Sequence, residues 1–150
     1  MRPYLIPGLI LIALTVAIHA VGTLAFLRML VRYRPVWERH AGVLINMLTL
    51  SWVVTTLVVL HTAEIAAWAA YYHLRDLFPD FETSLYYSLC SYTTVGFGDV
   101  VLPKAWRLLG TIEALVGILM TSWSVALLVG VVTTIHQADT NRANRRLGGS

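Results

Sequence analysis

Seven consecutive residues, Thr93-Thr94-Val95-Gly96-Phe97-Gly98-Asp99, could do chemistry with their backbone. A dehydrated cation is held only where oxygens replace its water on every side, and stacked rings of carbonyl oxygens do this. All the carbonyls must then face one axis, which demands unusual dihedrals at alternate residues. Gly96 and Gly98 lack a Cβ and tolerate a positive φ. Thr94 can add its hydroxyl to its carbonyl at the inner end of the stack. Val95 and Phe97 are expected to point away from the axis and pack on a helix behind it. A lone Gly-x-Gly could also be a turn or a phosphate loop, but no Gly-Lys-Ser/Thr completion follows.

The elements around this run must position it in a membrane. Of the 150 residues, 57% are hydrophobic and 13% charged, and the mean hydropathy is +0.69. A soluble domain carries about 25% charged residues. Leu5 to Leu27, Ala41 to Ala63 and Ala114 to Ala138 contain no Asp, Glu, Lys or Arg. Each is long enough to cross a hydrocarbon core of about 30 Å. The expectation is an all-α membrane protein with three transmembrane helices. Residues 1–31 hold the first span, too long in its apolar core and too weakly basic at its start for a cleaved leader. A basic linker follows at 32–40, where Pro35 argues against a continuous helix. The second span covers 41–72. Residues 81–93 are too short to span and suit a re-entrant half-helix leading into 94–99. The third span covers 104–136, and 137–150 form a short polar tail. The single cysteine, Cys90, excludes an intrachain disulfide framework.

Charge sets the orientation. If the loop enters from outside, Arg28, Arg32, Arg34, Arg39, Arg142, Arg145 and Arg146 fall on the cytoplasmic side, seven of the eleven basic residues. That agrees with the positive-inside tendency. The amino terminus is then outside and the carboxyl terminus cytoplasmic. Net charge +3 reflects topology rather than a nucleic-acid partner. Arg142 to Arg146 could touch anionic lipid headgroups. No helix carries an arginine at every third position, so no voltage sensor of the usual kind is expected. No nucleophile–base set lies outside the spans, and no enzyme is expected.

The run Thr94-Val95-Gly96-Phe97-Gly98-Asp99 resembles the selectivity-filter signature of the tetrameric potassium channels, Thr-Val-Gly-Tyr-Gly-Asp. The order of outer helix, pore helix, filter and inner helix is similar to theirs over about residues 41–136; the first span lies outside the likeness. The resemblance implies potassium ions held by Thr94, Val95, Gly96 and Phe97, with Gly98 forming the outer mouth and Thr93 and Asp99 supporting it. It also implies no other cofactor. One chain supplies one loop and four must surround the ion, so a homotetrameric pore is expected. The departures are local. Phe97 stands where tyrosine is commoner, Tyr86 and Tyr87 where many members carry tryptophans, and Cys90 where some carry a carboxylate. The expected function is passive potassium conduction in a bacterial inner membrane. Alternatives are a weakly selective cation channel or a non-conducting regulatory membrane subunit.

Three helical stripes remain. On the third span Gly110, Glu113, Gly117, Thr121, Ser124 and Leu128 share one face. Gly117, Thr121, Ser124 and Leu128 are read as cavity lining with a bend near Gly117; the competing reading is a helix–helix seam of small residues. On the second span Asn46, Leu50, Leu57, His61, Glu64, Trp68 and Tyr72 align. His61, Glu64 and Glu113 are candidates for a pH-sensitive group behind the pore helix, or for a satisfied hydrogen-bond network. On the first span Gly8, Thr15, His19 and Gly22 are read as a seam against the second span. His19 and His61 lie at similar depth, but nothing in the spacing of His19, His61 and Glu64 favours a metal.

Overall fold

The three apolar runs form three long helices, and the short amphipathic segment forms a fourth between the second and third. The computed structural model describes residues 4–40 and 42–147, and no strand occurs among them. Helix α1 is Leu5–His40, α2 is Val43–Leu74, α3 is Phe81–Tyr92 and α4 is Arg107–Leu147. Leu5–Arg32, Val43–Leu74 and Arg107–Asn144 are long and apolar enough to cross a membrane. A helix satisfies its own backbone in hydrocarbon, where no water can. Outward side chains such as Leu9, Leu44, Val59 and Leu119 are exposed and apolar, as a lipid-facing surface requires.

Two boundaries differ from the expected ones. The segment 32–40 is not a linker, because α1 continues through Pro35 to His40. A proline's cost is local: one missing donor and a clash with the carbonyl four residues back. The break falls instead at Gly42, the extended N-cap of α2 with φ −162°. Residues 137–147 are likewise not a separate tail but the end of α4. No Gly or Pro lies between Val131 and Leu147 to stop the helix. Asp139 there accepts a hydrogen bond from Asn46 Nδ2 at 2.9 Å and faces Arg142 at 3.6 Å. At its other end α4 begins at Arg107, since Trp106 N–H donates to the Pro103 carbonyl (2.8 Å) in a preceding turn.

The loop from α2 to α3 has recognisable stop and start signals. Asp76 takes φ +52°. Its N–H donates to the His73 carbonyl and that of Leu77 to the Tyr72 carbonyl, a Schellman-type stop. Leu77 then packs on the cluster that contains Tyr72. Asp80 caps α3, its Oδ1 accepting from Thr83 N–H at 2.7 Å. The Thr83 amide, foremost, holds the Asp80 carboxyl below the usual carboxylate range.

Helix α1 lies along the groove between α2 and α4, and α3 packs on α2 and α4. The stripe Tyr4, Leu11, Thr15, His19, Thr23 and Phe26 is the buried face of α1. The expected seam is therefore present but shared. Trp68 Nε1 donates to Thr15 Oγ1 (2.8 Å) across to α2, whereas Gly8 lies against Leu109 and Ile112 of α4. Lipid is as apolar as leucine, so helices associate there through packing and hydrogen bonds rather than exclusion from water.

Candidate functional site

The run 94–99 leaves the carboxyl end of α3 with an alternating backbone. Thr94, Gly96 and Gly98 have φ of +61°, +54° and +80°. Two of the three are the glycines singled out from sequence. The third is a threonine, and a non-glycine in the left-handed region costs on the order of 1–2 kcal/mol. Alternating handedness turns successive peptide planes the same way, which is the condition for a one-sided row of carbonyls. Two bonds anchor the run to the helix that precedes it. Thr94 N–H donates to the Ser91 carbonyl (2.9 Å) and Gly96 N–H to that of Cys90 (3.1 Å). The carboxyl end of α3, with its partial negative charge, therefore abuts the first residue of the run.

At the far end of the run Tyr86 donates its hydroxyl to Asp99 Oδ2 at 2.8 Å. This bond, foremost, holds the Asp99 carboxyl below the usual carboxylate range. Tyr86 thus ties the far end of the run to α3. Tyr87 turns inward, its ring 5.4 Å from Tyr72 and 5.0 Å from Phe78. Cys90 lines a depression of about 350 Å³ with Tyr86, Tyr87, Phe97 and Asp99.

Val95 and Phe97, expected to pack on the half-helix behind the run, are largely uncovered within the single chain. They are 53% and 71% exposed. The cause is the orientation of α3, whose buried residues Ser84, Ser88 and Tyr92 face α2 and α4.

Behind α3 stand two buried carboxyls. Glu113 of α4 accepts from Tyr72 of α2 (2.8 Å) and is hydrogen-bonded to Ser88 of α3 (2.5 Å). Ser88 also reaches the Ile65 carbonyl at 2.9 Å, and Ser91 Oγ donates to the Gly110 carbonyl at 2.8 Å. Deeper, Glu64 of α2 accepts from the Tyr92 hydroxyl at the end of α3. His19 Nδ1 of α1 lies 2.8 Å from Glu64 Oε1, and His61 Nδ1 lies 3.4 Å from Oε2. His61 also reaches Tyr92 Oη and Ser124 Oγ, each at 2.9 Å. All four helices thus meet at one polar cluster beside the start of the run.

This geometry corrects the cavity reading for two of its residues. Ser124 is 5% exposed and bonded to His61. Gly117 is buried at a seam, where a Cβ would meet the Tyr92 carbonyl oxygen. The small polar face of α4 is therefore, over Gly110, Glu113, Gly117 and Ser124, the surface that receives α3 and α2. Leu128 joins a half-buried cluster with Phe26, Val53 and Val131, whereas Thr121 is exposed. Of the candidates behind the half-helix, His61, Glu64 and Glu113 do stand there. Sequence reading missed Ser88, Ser91 and Tyr92; the spacing Ser84, Ser88, Tyr92 was the available signal, a polar stripe at every fourth residue.

A family model described as Ion channel matches residues 42–134, well over half of the chain, and α1 lies outside that match. No curated protein matches, and no solved structure does.

Proposed function

We infer that this chain, which belongs to the ion channel family, is a potassium-selective pore subunit of which four copies assemble around one axis. In this reading the carbonyls of Thr94, Val95, Gly96 and Phe97 replace the water shell of potassium in single file. Gly98 forms the outer mouth, with Thr93 and Asp99 as supports. The observation that carries the reading is the alternation of positive φ at Thr94, Gly96 and Gly98. Exposed Val95, Phe97 and Val101 add to it, since an apolar rim around a polar loop needs covering, and neighbouring copies would cover it. The orientation follows the arginine count: amino terminus outside, carboxyl terminus in the cytoplasm, in a bacterial inner membrane. His61, Glu64 and Glu113 are groups through which proton uptake would reach the filter from behind.

Purified protein in liposomes tests this with opposed potassium and sodium gradients. Potassium flux with a reversal potential that follows potassium is expected, and Gly96→Ala, strained at φ +54°, should abolish it. Equal sodium flux would leave a weakly selective cation channel. Wild-type protein without flux, co-purifying with another membrane protein, would make it a regulatory subunit.

A further inference from the structure

We propose that His19, His61 and Glu64 bind a first-row divalent metal ion, of the zinc class, that clamps α1 onto the channel core. Ligand atoms of the three residues lie within 4.8 Å of one another. Both Nδ1 nitrogens face the same carboxylate, at 2.8 and 3.4 Å. In a tetrahedral site with bonds of 2.0–2.1 Å, neighbouring ligand atoms stand about 3.4 Å apart. The His61 contact, to Oε2, has that separation, and the His19 contact, to the other oxygen Oε1, is shorter, so a tetrahedral site needs the carboxylate to turn and His19 to draw back by roughly half an ångström. Two imidazoles and a carboxylate form a zinc ligand set that leaves a fourth position open. Tyr92 Oη, 2.9 Å from His61 Nδ1, borders that position. His61 is 19% exposed while His19 and Glu64 are fully buried, so the edge of the His61 ring marks the way in.

In the tautomer that points both Nδ1–H groups at Glu64, the proton count leaves a gap that a cation fills. A neutral imidazole carries one N–H and one lone pair. If both Nδ1 atoms donate towards Glu64, both Nε2 atoms are left as acceptors. They face one hydroxyl, Ser124 Oγ, at 2.9 Å from His61 and 3.4 Å from His19. That hydroxyl has one proton, so one nitrogen stays unsatisfied in the interior. With a metal on the two Nδ1 atoms, both Nε2 atoms carry protons and both donate to Ser124 Oγ, whose two lone pairs accept them. A metal-ligating histidine typically has its other ring nitrogen held in this way. Ionised Glu64 between neutral imidazoles leaves −1 within a span, an expensive state; a divalent ion pairs that charge and brings the cluster to +1, which a hydroxide in the fourth position would balance.

The full-length protein in micelles, dialysed against zinc and then against metal-free buffer, tests the proposal by metal content. One zinc per chain is expected, with magnesium not retained, and the X-ray absorption spectrum of the zinc should report two imidazoles. His19→Gln keeps a hydrogen-bonding group but removes a ligand, and should weaken binding by at least about tenfold. Ser124→Ala keeps all three ligands and should weaken it by roughly 10- to 100-fold. Zinc retained equally by wild type and His19→Gln would overturn the proposal, because a surface histidine would then be the ligand. So would a wild type that retains no zinc, a result that leaves a proton-only network. If His19→Gln does not fold, the absorption spectrum and Ser124→Ala decide.

Discussion

Glu64 and Glu113 lie in spanning helices, about 15 Å from the Leu74 end of α2 and about 9 Å from the Arg107 end of α4 at 1.5 Å per residue. Neither has exposed surface, and each holds the short helix α3. Their partners differ. Glu113 meets hydroxyls only, those of Tyr72 and Ser88. Ser88 has one proton and two acceptors in reach, Glu113 Oε1 and the Ile65 carbonyl. A proton on Glu113 completes that set: Glu113 donates to Ser88, and Ser88 to Ile65. Glu64 instead accepts from Tyr92 and faces the Nδ1 atoms of two imidazoles. One carboxyl therefore suits a neutral acid fixing the middle of α3, the other a carboxylate gathering donors at its inner end. The contrast teaches that a carboxyl in a membrane span takes its role from the proton inventory of its neighbours.

Carboxamide substitution should separate the two most strongly. In Glu64→Gln one oxygen becomes an NH₂ that faces a donor, so a hydrogen bond to a charged group is lost and a repulsive contact replaces it. We expect a loss of about 2–3 kcal/mol of stability, read as a lower midpoint of thermal unfolding in micelles and loss of the assembled oligomer. Glu113→Gln mimics the neutral acid, since its amide donates to Ser88 and its carbonyl accepts from Tyr72. Its cost should stay below about 1 kcal/mol, with ion flux within about twofold of wild type. Equal losses in the two variants would break the comparison and make both carboxyls the same kind of anchor.

The two clusters share a seam at Gly117, and a smaller effect is expected there. A Cβ at 117 would meet the backbone carbonyl of Tyr92, the residue whose hydroxyl serves Glu64. Gly117→Ala should push the inner end of α3 away from α4 at about 1–3 kcal/mol, the usual cost of overpacking. The Glu64 cluster should loosen while the Glu113 cluster, bonded at Ser88 one turn back, persists. Tyrosine difference spectroscopy on Tyr72→Phe and Tyr92→Phe backgrounds reads the two sites apart. A perturbation confined to Tyr72 would contradict this division.

Much of this arrangement is legible in the chain and some is not. The three spans, the half-helix and the glycines at 96 and 98 follow from apolar run lengths and from the one residue that accepts a positive φ freely. Thr94 adopts the same conformation with no signature of its own, because its neighbours and its bond to Ser91 impose it. The stripe His61, Glu64, Trp68, Tyr72 is visible as a face. Periodicity identifies a face but not what the face meets, and so Ser124 and Gly117 could be read as lining a cavity. His19 reaches Glu64 from 45 positions away, on a helix that sequence alone leaves undocked. Pro35 and Gln137 looked like ends because composition changes there, yet a helix in water tolerates polar residues and, at a cost, a proline.

The exposed carboxyl at the far end of the run, Asp99, supplies the reference for the two buried ones and the smallest expected effect. Asp99 is held below the usual carboxylate range first by the Tyr86 hydroxyl. A depressed folded value means that its stabilising contribution is present above the unfolded value of 3.8. It is lost as the pH falls through the lower folded value. Tyr86→Phe removes that donor, so Asp99, left with the backbone amides of Asp99 and Val100, should titrate nearer its ordinary value and lose those remaining contacts at a higher pH. At neutral pH flux should change by less than about twofold, because the pair is open to solvent and screened. The measurement is flux against outside pH between roughly 5 and 3, paired with a direct titration of the carboxyls by infrared difference spectroscopy. Asp80, held low by the Thr83 amide rather than by Tyr86, should not move and serves as the internal control. An acid limit identical in wild type and Tyr86→Phe would mean that the tyrosine does not brace the mouth. The two buried clusters, with the Ser91–Gly110 bond, would then carry the half-helix and, through it, the run from Thr94 to Asp99.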